Sequence, residues 1–138
     1  ALKSLQIVMR DDLSARAENL GVILREKLDG LKERYECIGD IRGKGLYQML
    51  DIVTDKKSKT PDYAMAERFR YNAAMEGVIT ICVKNYMRVA PPLIITEAEI
   101  DDVVGRLETA LKRAVAGYPE GIDFSASSSL AARPAAAE

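Results

Sequence analysis

Histidine is absent from the 138-residue sequence. That excludes Ser-His-Asp and Cys-His nucleophile systems and removes the commonest zinc ligand. Chemistry done by this chain alone would have to use carboxylates, lysine, tyrosine or cysteine. Cysteine is scarce: Cys37 and Cys82 are the only two. They make neither a disulfide framework nor a metal motif, and read as reduced thiols of a cytoplasmic protein. An excess of one charge is lacking too. The 20 Lys and Arg meet 21 Asp and Glu, for a net charge of −1, so no footprint for nucleic acid stands out. Apolar runs such as residues 78–83 are far too short to span a bilayer, and no membrane partner is expected. No signal-peptide pattern opens the chain. It starts inside an amphipathic pattern without an initiator Met, which reads as a piece of a longer protein.

What is present is ordinary for one soluble domain: 48% apolar and 30% charged residues. Residues 2–9 suit the end of a preceding helix. Arg10-Asp11-Asp12 looks like a break, with Asp capping the next helix. Leu13, Ala17, Leu20, Leu24, Leu28 and Leu31 then recur at spacings of three and four, one apolar stripe on a helix of about five turns. From 36 to 53 the helical period is lost. Gly39, Gly43 and Gly45 punctuate this stretch, with 42–46 a glycine-permitted bend into a strand of the bulky residues 46–53. Thr60 and Pro61 look like the cap and first position of a helix whose inner face holds Met65, Phe69 and Ala73, ending at Gly77. Residues 78–83 read as a well-buried strand. Residues 84–86 are a turn, and 87–90 a short strand stopped by Pro91-Pro92.

Thr96 and Glu99 form a capping box. The stripe Ile100, Val103, Val104, Leu107, Leu111, Val115 marks the helix that follows. Beyond Gly117 the sequence turns small, polar and Ala-rich. The expected organisation is one domain over 1–117 and an extended or disordered tail over 118–138. The expected fold class is α+β, a small antiparallel sheet of three to four strands covered by helices.

Few residues offer chemistry. "RGKGL" (42–46) lacks the G-x-x-x-x-G-K-[ST] spacing and reads as a bend into a strand. The lysine of "SKT" (58–60) lies in a charged loop with nothing to desolvate it. Asp101 and Asp102 are adjacent on a helix, so they cannot share a proton; their place suits the helix N-terminus. Tyr86 stands two residues before Arg88. Arg88 sits among apolar residues at a strand end. Its fork could hold the carboxylate of an amino or keto acid, form a structural ion pair, or end in water.

Two stretches, "ECIGDIRGKGLYQMLDIV" and "MRVAPPLIITEAEID", with the helix ending in "MEGVI" between them, resemble the C-terminal part of class III aminotransferases. "CIGDIRGKGL" with "RVAPPL" looks most like the dialkylglycine decarboxylase branch, and the similarity runs from residue 2 to about 116. The resemblance implies the small C-terminal domain of a fold-type-I enzyme that uses pyridoxal 5′-phosphate and acts on an amino-acid or keto-acid substrate. The parent is then a homodimer or tetramer. It implies that Arg88 binds the substrate's α-carboxylate. The family's large domain, with the lysine that carries the cofactor, has no counterpart in these residues. No catalytic, cofactor-binding or metal-binding residue is therefore assigned here, and the chain alone is expected to bind no cofactor and to be inactive. The alternative is a stand-alone, non-enzymatic module that binds small carboxylates or mediates dimerisation.

Overall fold

Leu20, Leu24, Leu28 and Leu31 are buried along one side of a helix, as their spacing on a 3.6-residue turn requires. In the computed structural model, which describes residues 2–124, that helix is α2 (Leu13–Arg34), preceded by α1 (Leu2–Arg10). β1 (Ile38–Lys44), β2 (Tyr47–Ile52), α3 (Tyr63–Met75), β3 (Cys82–Val83), β4 (Tyr86–Val89) and α4 (Glu97–Val115) follow. The strands pair antiparallel in the order β1-β2-β4-β3. The α+β class expected from the sequence is the class the chain adopts.

Side chains alternate across the sheet. Ile38, Ile41, Leu50, Ile52, Met87 and Val89 join the core with the α2 leucines, Phe69 of α3, and Leu107 and Leu111 of α4. The residues between them point to the opposite face, where Arg42 pairs with Met49 and Met49 with Arg88 across the strands. α1 buries none of its residues, and Leu2, Leu5 and Met9 are 71%, 56% and 73% exposed.

The structure revises several details. The expected bend over 42–46 narrows to the hairpin turn, because residues 38–44 before it form a strand of their own. The β1–β2 hairpin closes through Gly45-Leu46, with Gly45 at φ 54, the first-position glycine that a tight two-residue loop favours. A bulge between Ile38 and Asp40 shifts the register and hides the alternation in the sequence. α3 begins two residues after Pro61, capped by Asp62, whose carboxylate accepts from Met65 N at 2.9 Å; Pro61 bridges to Val53 instead. Asp12 holds the N-cap position of α2, but in the left-handed region (φ 43, ψ 48) and without a side-chain cap bond.

Of residues 78–83 only Cys82–Val83 is strand, and it lies at the sheet edge. Ile79, Ile81 and Val83 are 93%, 49% and 60% exposed, because the face they point to carries no helix. The capping box of Thr96 and Glu99 is present at α4. After α4, the Tyr118 carbonyl accepts from Asn72 Nδ2 at 2.8 Å, and Phe124 packs edge-on to Tyr71 at 6.1 Å. The rest of the expected tail, 125–138, lies outside the described residues.

α2 meets the hairpin through two glycines. A Cβ on Gly21 would stand 2.3 Å from Gly45 Cα, a collision with backbone that neither element can relieve by rotating a side chain. Gly21→Ala should cost about 1–3 kcal/mol by overpacking, read as a lower urea midpoint. Gly105→Ala, on the exposed side of α4 with nothing within 4 Å of its Cβ, should instead stabilise by about 0.5–1 kcal/mol. Equal midpoints for the two variants would contradict the close approach.

Candidate functional site

β4 is a central strand of only four residues, hydrogen-bonded on both sides. Met87 and Val89 are buried towards the helices, so the period of two turns Tyr86 and Arg88 to the uncovered face. Arg88 is fixed through its backbone. Its N–H donates to the Ile81 carbonyl at 3.0 Å, and its carbonyl accepts from the Thr80 hydroxyl. The turn before β4 is tied to β2 as well. Asn85 Nδ2 donates to an Asp51 carboxylate oxygen and, at 3.0 Å, to the Ile52 carbonyl. Ile52 N–H donates back to the Asn85 carbonyl at 2.9 Å. Asn85 and Asp51 are buried, so these bonds set the register of β4 in a place water does not compete for.

Arg88 lines a cleft of about 550 Å³ between residues 77–80, the β4–α4 connection through Pro91-Pro92, and the start of α4. Its walls include Val78, Ile79, Ile94 and Ile95, with Glu99, Asp102 and Arg106 at the α4 side. Both carboxylates are engaged elsewhere: Glu99 accepts from Thr96 N–H at 2.8 Å, and Asp102 from Arg106 Nε at 2.7 Å. The cap bonds to Thr96 also hold the Glu99 carboxyl below its ordinary value.

The side chain of Arg88 has no hydrogen bond, ion pair or ring contact among the described residues, which sets it apart from the other described arginines. Arg10, Arg25, Arg34, Arg42, Arg70, Arg106 and Arg113 each pair with a carboxylate. Arg16 donates to the carbonyls of residues 93–95. Arg68 lies over the Phe124 ring. Arg42, on the same sheet face as Arg88, donates to Asp40 at 3.2 Å. Bonds from Lys32 and then Arg42 outweigh the burial of Asp40 and hold its carboxyl at about 2, so this pair stays charged at neutral pH and Arg42 is occupied.

The other candidates take structural places. Asp101 pairs with Lys27 and Asp102 with Arg106, so the two carboxylates are engaged apart from each other in ion pairs that the sequence reading did not assign. Lys59 sits in an exposed turn at φ 51. Burial pushes the Cys37 and Cys82 thiols up to about 11, which leaves both poor nucleophiles at neutral pH. Among the described residues no group of three or more acidic or thiol side chains could hold a metal ion. Sequence reading missed Thr80, Ile81 and Asn85, which position or border Arg88. The two-residue alternation of 78–83 was the available signal for the first two; Asn85 carried none beyond its turn composition.

The family model for class-III aminotransferases matches residues 1–111. The chain is 37% identical over 122 residues to a leucine/methionine racemase of Thermococcus litoralis, spanning 88% of this chain and 27% of that protein. It is 33% identical to a mitochondrial alanine–glyoxylate aminotransferase 2 homologue of Arabidopsis thaliana, over 81% of this chain and 24% of the relative. The crystal structure of a Vibrio fluvialis aminotransferase in its PMP-bound form superposes with a TM-score of 0.78 at 32% identity, covering 83% of this chain and 26% of that one. The chain thus spans about a quarter of the length of the relatives it matches.

If the Asn85 bonds set the register of β4, Asn85→Ala should destabilise by about 1–3 kcal/mol, since it leaves the buried Asp51 carboxylate short of a donor. Denaturant unfolding measures this, and an unchanged midpoint would remove Asn85 from the account.

Proposed function

The chain belongs to the class III aminotransferase family, and we propose that it is the substrate-binding C-terminal segment of a pyridoxal-phosphate-dependent aminotransferase. In this reading Arg88 holds the α-carboxylate of an amino-acid or keto-acid substrate. The observation that carries it is the guanidinium of Arg88, half-buried, lining a cleft and without a partner among the described residues, where the other described arginines each have one. A rigid fork of N–H donors matches a carboxylate in two parallel hydrogen bonds. Held so, the substrate loses rotational freedom before it reacts, an orientation contribution.

The cleft of Arg88 does not fit the cofactor itself. Lys27, Lys32, Lys56 and Lys112 are ion-paired with surface carboxylates, and no lysine lines the cleft of Arg88. The N-terminus of α4, a natural seat for a phosphate, is filled by its own capping box. In this reading pyridoxal phosphate and its lysine belong to another part of the parent, and no bond-breaking step is assigned to this segment.

The finer reading keeps the dialkylglycine decarboxylase branch, on the wording of "CIGDIRGKGL" and "RVAPPL"; release of carbon dioxide from a dialkylglycine by the parent tests it. A homodimeric or tetrameric, cytoplasmic parent belongs to the same reading. No helix among the described residues is long and apolar enough to cross a membrane. The exposed apolar residues of α1, and Ile79 and Ile81 beside Arg88, are consistent with surface that meets substrate or further protein. A stand-alone module would instead keep the carboxylate site without turnover.

In the full-length parent, Arg88→Ala should raise KM for carboxylate substrates by about 30-fold or more, the scale of losing one partner of a desolvated charge pair. An amine donor without a carboxylate should be much less affected. Equal KM values for wild type and variant with both substrate types would contradict the role. The 138-residue chain, mixed with pyridoxal phosphate and dialysed, should keep no borohydride-reducible absorbance band; a persistent band would show that it seats the cofactor by itself.

A further inference from the structure

Residues 118–124 lie beyond the stretch that the family model matches, which ends at residue 111, yet they fold back onto the domain. Gly117, at φ 85, takes the left-handed position after α4. Its N–H donates to the Ala114 carbonyl and that of Tyr118 to the Arg113 carbonyl, both at 3.0 Å, the bond pattern of a Schellman turn. The turn brings the Tyr118 carbonyl to Asn72 of α3. Asn72 is fully buried, and its Nδ2 donates to that carbonyl at 2.8 Å and to the Arg68 carbonyl at 2.9 Å. Further along, Phe124 is buried, edge-on to Tyr71 and 5.6 Å from the Arg68 guanidinium carbon. These contacts grip the second half of α3. The end of α3 is the start of the cleft wall. Gly77, at φ 82, makes the same kind of turn there, and Val78 N–H donates to the Ala73 carbonyl at 2.8 Å. Residues 77–80 leave that turn and line the cleft of Arg88. One side chain joins the two turns: Arg113 lies over the Tyr118 ring at 5.9 Å and pairs with the Glu76 carboxylate, immediately before Gly77.

We infer that residues 118–124 are a strap that holds the end of α3, and with it the 77–80 wall of the Arg88 cleft, in place. The wall needs such support. β3 is two residues long and begins only at Cys82. Ahead of it, the bonds to β4 are Arg88 N–H to the Ile81 carbonyl and the Thr80 hydroxyl to the Arg88 carbonyl. A segment with so few ties to the sheet opens locally unless its other end is fixed. The strap fixes that end through a buried amide, whose loss would leave polar groups unpaired, and through a buried ring, which removes apolar surface from water. Phe124 and Tyr118 are positioning residues, acting on the cleft through α3. The effect on substrate rests on Arg88 as the carboxylate anchor; the effect on the wall does not.

The test joins hydrogen exchange to steady-state kinetics in the full-length parent, with Phe124→Ala and Tyr118→Ala. Each variant should speed exchange of the 72–81 amides at least about threefold and leave β1 and β2 as in wild type. KM for a carboxylate substrate should rise about three- to tenfold with kcat nearly unchanged. Phe124→Leu, which keeps an apolar side chain under Arg68, should recover part of both effects. Tyr118→Ala, at a half-exposed ring, serves where Phe124→Ala does not fold. Unchanged exchange, or exchange faster by one factor throughout the domain, overturns the strap: it is then idle, or a part of global stability alone. Faster exchange confined to 72–81 with KM unmoved, while Arg88→Ala raises KM, overturns the link from strap to cleft. If Arg88→Ala also leaves KM unmoved, the anchor reading falls, and the exchange pattern alone decides whether the strap holds the wall.

Discussion

A guanidinium held half out of water on a central strand must find an anion, a carbonyl, a ring or solvent, because its charge is expensive to strip of partners. The arginines of this domain illustrate the usual solutions, most through a carboxylate on the same or a neighbouring element. Arg88 is placed by its backbone, on a strand too short and too tightly paired to drift, and its side chain is left without an internal partner. Much of the local structure can be understood as what holds that one strand still while its fork remains free.

Several independent features converge on β4. The helices bury Met87 and Val89 from one side, which sends Arg88 to the other. Thr80 and Ile81 bind its carbonyl and N–H. Asn85 ties the preceding turn to β2 through buried bonds. Pro91 and Pro92 follow the strand, where a missing donor does no harm, and the capping box of Thr96 and Glu99 starts α4 on the far side of the cleft. That box also engages the Glu99 carboxylate with Thr96. The Asp40–Arg42 pair does the corresponding work across the sheet, occupying the second arginine of that face. The result is one fork without an internal partner, in a cleft whose charged side chains on α4 are engaged with one another or with the helix cap.

The parts of this arrangement that depend on local rules were legible in the sequence. Leucines at helical spacing, a T-x-x-E box and a double proline report their structure through neighbours a few residues away, and α2, α4 and the end of β4 followed from them. What depends on partners distant in sequence was not legible. Residues 42–44 looked like part of a bend because β1, with its bulge at Gly39, is defined only by pairing with β2. Residues 78–83 looked buried because apolar alternation does not say which sheet face lacks a cover. The α3 cap fell on Asp62 rather than Thr60 because Pro61 was used to bridge Val53. Arg88 stood out by type and position, but that it lacks a carboxylate partner could be learned only from three dimensions.

The central claim concerns what Arg88 pairs with in the complete protein, and one structure answers it. A crystal structure of the full-length parent with a bound amino acid should place both α-carboxylate oxygens within about 3 Å of the Arg88 guanidinium nitrogens, as charge-assisted bonds require. An Asp or Glu from the remainder of the parent occupying that fork instead, with the substrate carboxylate bound elsewhere, would contradict the account.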